Sequence, residues 1–131
     1  MPLPRLAAAI GIAAFAATSY SATLTPPPGS PVPVNGTAGV KGTSAWVKLT
    51  GGKSGDVYPW HVHVGMCGTN GPVFGDASAY KPITISSAGK GDSKATLSMA
   101  LPDTGSYYVN IHASSSDMKT IVSCGNLTKG M

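Results

Sequence analysis

Between residues 45 and 50 the side chains alternate strictly. Ala45, Val47 and Leu49 take turns with Trp46, Lys48 and Thr50. A period of two sends successive side chains to opposite faces of an extended strand. Gly51-Gly52 breaks the run. Residues 57–64 predict a second strand, ended by Gly65, and residues 68–76 a loop. Ile83 and Ile85 mark a short strand, closed by a turn over residues 87–92. Ala95, Leu97 and Met99 then alternate with Thr96, Ser98 and Ala100. Pro102-Asp103-Thr104-Gly105 reads as a turn. Residues 107–113 and 121–124 predict two further strands. Short strands at this spacing, without an amphipathic helix, predict an all-β fold, an antiparallel Greek-key sandwich or barrel.

The N-terminal third follows a different pattern. After Arg5, residues 6–24 carry no charge and are rich in alanine. A basic start, an apolar middle and a close in small residues (Ser19, Ser21, Ala22) read as an export signal. The same stretch, as one hydrophobic helix, would span about 28 Å and could remain as a transmembrane anchor. Ala7, Gly11 and Ala14 would then allow close helix–helix contact. Both readings of residues 1–24 stay open. Residues 25–36 (TPPPGSPVPVNG) are expected to form an extended polyproline linker. The β-domain is expected over residues 37–131. Either reading places it outside the cytoplasm.

Composition narrows the function classes. Seventeen glycines, eleven prolines and 11% charged residues in 131 suit a turn-rich β-fold. The net charge of +4 is spread thinly, and no basic run with interleaved aromatics argues for nucleic acid. No glutamate occurs, and Arg5 is the single arginine. No motif for a serine hydrolase, a phosphate-binding loop or a zinc protease is present, and no small organic substrate is indicated. Cys67 and Cys124 are an even pair in an exported chain, which favours a disulfide over two free thiols.

The chemistry concentrates in three histidines, His61, His63 and His112. Residues i and i+2 of a strand face the same way, so His61 and His63 project together, about 6.6 Å apart at Cα. His112 comes from another predicted strand and could complete a three-imidazole metal site. Imidazole suits copper, zinc, iron or nickel. Met66 and Met118 lie near the histidines in sequence, and a thioether would favour Cu(I). Tyr58 and Trp60 precede the pair as core or site-wall residues. Asn35-Gly36-Thr37 and Asn126-Leu127-Thr128 match glycosylation sequons.

The order Trp60-His61-Val62-His63, Cys67, Gly75-Asp76, His112, then Cys124-Gly125 resembles the Cu/Zn superoxide dismutase superfamily, over roughly residues 40–127. It is similar to a branch of bacterial exported domains with a shortened metal loop and an Asn-x-His strand, here Asn110-Ile111-His112. The resemblance implies that His61, His63 and His112 are copper ligands and that Cys67 and Cys124 form the family disulfide. It also exposes what is missing. No histidine is left to bridge to zinc or to build a zinc site, and Asp76 alone cannot do so. The arginine expected three residues before the second cysteine is Ile121, and Lys119 would be a poor substitute for a guanidinium. These departures imply a copper-binding or accessory domain rather than an efficient dismutase. The alternatives are a copper-only superoxide dismutase, and a structural subunit of a larger respiratory or photosynthetic membrane complex, held by residues 1–24 and carrying a vestigial site.

Overall fold

A computed structural model describes residues 18–130. Nine strands follow one another: β1 (Ser19–Leu24), β2 (Asn35–Lys41), β3 (Ser44–Thr50), β4 (Val57–Tyr58), β5 (Trp60–Val64), β6 (Ile83–Thr84), β7 (Gly91–Thr96), β8 (Tyr107–Ser114) and β9 (Asp117–Lys129). Seven form one antiparallel sheet in the order β5-β8-β9-β1-β2-β3-β7, and β4 pairs with β6. The sheet curls around one core. Val47 and Leu49 near one edge share a cluster with Trp60, Val62, Val109 and Ile111 at the other. The fold is all-β and antiparallel, as the alternation predicts. Among the described residues no helix is long and apolar enough to cross a membrane.

The expected boundaries move. Ser19–Leu24, assigned in the sequence to a leader or anchor, form a strand between β2 and β9. Tyr20, Ala22 and Leu24 point into the core while Ser19, Ser21 and Thr23 face out. That is the same period of two as in β3, written in smaller residues. The rest of the proposed helix, residues 1–17, lies outside the described residues. The proline-rich stretch is not a free spacer. Thr25 exchanges two backbone hydrogen bonds with Cys124, Val34 is fully buried, and Asn35-Gly36 already belong to β2.

β2 shows little hydrophobic alternation to announce it, because its inward residues are the small Gly36, Ala38 and Val40 and its outward row includes Gly39. Gly39 shows why. The Trp46 ring from β3 lies across it, and any Cβ there would meet ring carbons at 2.5 Å. Gly42, at φ 58, then turns β2 into β3 through a two-residue connection. The strand expected around residues 95–99 begins earlier, at Gly91, and its pairing ends at Thr96. Leu97 is still buried, but Met99 is exposed. The predicted strand at 121–124 is the middle of β9, which runs for thirteen residues.

Candidate metal centre

β5 and β8 are neighbours, with His61 opposite Asn110 and His63 opposite Tyr108. Directly paired residues share a face. Tyr108, Asn110 and His112 therefore stand on the same side as the two histidines of β5, while Trp60, Val62, Val109 and Ile111 fill the core behind them. The register of β8 against β9 shifts around His112, which pairs with Ile121. The backbone N–H of His112 donates to the Pro59 carbonyl at 2.8 Å and holds the end of β8 beside β5.

These facts bring His61, His63 and His112 into one cluster. Ring centroids are 5.0–5.7 Å apart in all three pairs. One nitrogen from each ring lies within 4.8 Å of the others. No ring is more than 7% exposed. The hydrogen bonds determine which nitrogens are open. His63 Nδ1 donates to the Gly71 carbonyl at 2.9 Å, and His112 Nδ1 donates to the Met118 carbonyl at 2.8 Å. Carbonyls only accept, so these contacts fix the proton on Nδ1 and leave Nε2 with a free lone pair. His112 Nε2 faces His61 Nδ1 at 3.1 Å. His63 Nε2 is buried with no partner. The three convergent atoms are thus His61 Nδ1, His63 Nε2 and His112 Nε2.

With the His112 proton on Nδ1, His61 Nδ1 donates to His112 Nε2 across the 3.1 Å gap, and a bound ion would take that proton's place. The unpartnered His63 nitrogen carries an unpaid desolvation penalty that a cation would remove. Burial is the main cause lowering all three histidine pKa values. His61 falls to about 4, pushed further by the neighbouring charges of His112 and then His63. His63 and His112 are lowered too, each partly offset by the bond to its carbonyl. All three rings are neutral at physiological pH, which is the state that binds metal. The cluster can hold a metal ion.

Aromatic side chains wall the centre. Tyr108 stacks on His63 at 5.0 Å, and its hydroxyl accepts from the Gly71 N–H. Tyr80 meets His61 edge-on at 5.4 Å, and Trp60 lies behind Tyr80. Tyr108 was legible as the third member of the 108-110-112 face. Tyr80 arrives from a loop, and nothing in local sequence marks it. Cys67 and Cys124 are bonded. The disulfide ties the 65–72 turn, and with it the Gly71 carbonyl, to β9.

Other candidates fall elsewhere. Met118 meets the centre through its main-chain carbonyl, and its side chain and that of Met66 are exposed. Asp76 caps the single turn of 3₁₀ helix at Ala77–Ala79, accepting from the Ser78 N–H and hydroxyl. Tyr58 and Trp60 are core residues, their polar atoms bonded to Asp56 and to the Lys81 carbonyl. Asn126 is committed to the Cys67 N–H, whereas Asn35 is exposed. No protein-family model matches the chain, and no curated protein matches it significantly.

Proposed function

We propose that this chain is an extracytoplasmic copper-binding domain, related to the copper half of the Cu/Zn superoxide dismutases and built to hold the ion rather than to turn over superoxide quickly. The observation that carries it is the buried set of three convergent imidazole nitrogens, with no carboxylate or thiolate among them. A closed structural zinc site uses four protein ligands. Imidazole suits copper, zinc, iron and nickel alike, so copper is preferred on the resemblance of His61, His63 and His112 to that superfamily's copper ligands. Bound copper would supply one-electron redox chemistry. The chain's own contribution is to fix two ring tautomers through the Gly71 and Met118 carbonyls and to keep water away. Burial of all three rings, and Ile121 where a guanidinium would guide an anion, favour storage or delivery over rapid dismutation. The disulfide favours an oxidising compartment.

Copper titration of the purified protein should saturate at about one ion per chain, with zinc displaced by copper. His63→Ala should lose the stoichiometric site. Retention of full copper by that variant, or a preference for zinc, would sink the assignment. Superoxide removal above that of free copper would favour the copper-only dismutase instead.

β1 bears on the accessory-subunit reading. With Ser19–Leu24 in the sheet, the uncharged stretch ahead of it shrinks to residues 6–18. Thirteen residues span about 20 Å as a helix, short of a bilayer but ordinary for a signal-peptide core. Intact-mass analysis of the native protein should find a mature N-terminus before Ser19. An unprocessed chain would restore the membrane-complex reading.

A further inference from the structure

The seven-stranded sheet has two edges, β5 and β7. They are finished differently. Along β5 the Val64 N–H donates to the Pro72 carbonyl, and the Val62 carbonyl accepts from the Phe74 N–H, so a loop covers that edge. β7 has no such cover. In its register against β3, Ser44 faces Thr96, which puts Thr43 opposite Leu97. The Leu97 N–H donates to the Thr43 carbonyl at 2.7 Å. Hydrogen-bonded pairs alternate along an antiparallel ladder. Gly91, Ser93 and Ala95 therefore direct their backbone groups to β3, and Asp92, Lys94 and Thr96 turn theirs to the free edge. Lys90, the previous member of that row, has the same phase, since its N–H and carbonyl both bond to Ser86. Among the described residues nothing pairs with the outward backbone groups of Asp92, Lys94 and Thr96. An open groove of about 660 Å³ lies between this edge and segment 78–82.

An unpaired edge recruits other strands, and a lone lysine is a common guard against that. Here the lysine has a counterpart. Asp92 and Lys94 are both exposed and, two residues apart, stand on the same face of the strand. Neither is in an ion pair; among the described residues Lys129 and Asp103 form the only one. We propose that β7 pairs edge to edge with β7 of a second copy of this chain, antiparallel about a two-fold axis at Ser93. That register sets Asp92 opposite the partner's Lys94, and Lys94 opposite the partner's Asp92. These are the residues whose backbone groups face the free edge, so each Asp92–Lys94 pair exchanges two main-chain hydrogen bonds and gains an ion pair. Moving the axis to Lys94 would set lysine against lysine, so charge selects the register. The proposal is independent of the copper reading, because β7 carries no histidine.

The test is sedimentation equilibrium of the purified protein across a range of concentrations. Reversible dimerisation is expected, with a Kd on the order of 100 μM for so small an interface. The Asp92 and Lys94 N–H groups should exchange quickly with solvent in dilute solution and slow as the dimer forms. Lys94→Asp sets like charges opposite each other and should weaken the dimer about tenfold. The double exchange, Asp92→Lys with Lys94→Asp, should restore it. Lys94→Pro is tolerated on an edge strand whose N–H faces solvent, so it should abolish dimerisation and leave the monomer folded. Raised salt should weaken association. A protein that stays monomeric at about 1 mM, as an edge reserved for a different partner would leave it, would overturn the proposal. So would a dimer unaffected by Lys94→Pro, or a double exchange that fails to restore pairing.

Discussion

Two regions of the curled sheet use the same strand geometry in opposite ways. In β1 and β3 every second residue meets water, and the burial pattern alternates cleanly. In β5 and β8 both faces are covered: four of five residues of β5 and the first six of β8 are buried. The core side of β5 and β8 is filled by Trp60, Val62, Val109 and Ile111. The other side carries His61, His63, Tyr108, Asn110 and His112 under the 65–80 loop and the β8–β9 turn. The wet half needs no partners for its outward polar groups, because water supplies them. The covered half must find partners inside the protein. It does so for the two Nδ1 atoms and not for His63 Nε2. The candidate metal centre is thus the place where the sheet has been given a second, polar interior.

If the covering loop creates that interior, releasing it should cost most. Replacing both cysteines (Cys67→Ser with Cys124→Ser) opens a covalent link over a sequence separation of 57. Loss of about 4 kcal/mol is expected in denaturant unfolding. Copper affinity should fall with it, because the Gly71 carbonyl loses its anchor. A destabilised variant with unchanged copper affinity would break the link between loop and centre.

Acid should distinguish the two halves with a smaller effect. His61 titrates at about 4 in the folded chain and near its ordinary 6.5 when unfolded. The unfolded state therefore takes up its proton first. Copper-free stability should be complete above about pH 6.5, fall by roughly 3 kcal/mol towards pH 4, and lose nothing further from this group below it. His63 and His112 act in the same direction. Urea midpoints measured across that range provide the check. With copper bound the fall should shift to lower pH, since metal and proton compete for the same nitrogens.

The contrast between the halves also explains what could be read in advance. The Ala45–Leu49 alternation reports a face that meets water, and such a face writes itself into the sequence. His61 and His63 could be placed on one side from their spacing alone. Their burial could not, because it depends on loops that arrive from Gly71, Tyr80 and Met118. β1 was legible in its Ser-Tyr-Ser-Ala-Thr-Leu alternation but was absorbed into a longer uncharged stretch. β2 was hidden because Trp46 requires a glycine opposite it. The prolines at 26–28 suggest a spacer by composition, yet they wall a cleft, since their neighbour Thr25 is pinned to Cys124.

The place of β1 in the sheet has a consequence for the order of assembly. Its strand lies between β2 and β9, so the first strand among the described residues is paired with the last, Tyr20 against Lys129. A chain emerging from a ribosome or a translocon N-terminus first can form the β1–β2–β3 meander early. The remaining edge of β1 then stays unpaired until β9 has appeared. Contacts this distant in sequence close slowly. Final closure is thereby postponed until β9 has appeared. The disulfide, which needs Cys124 of β9, waits for the same strand.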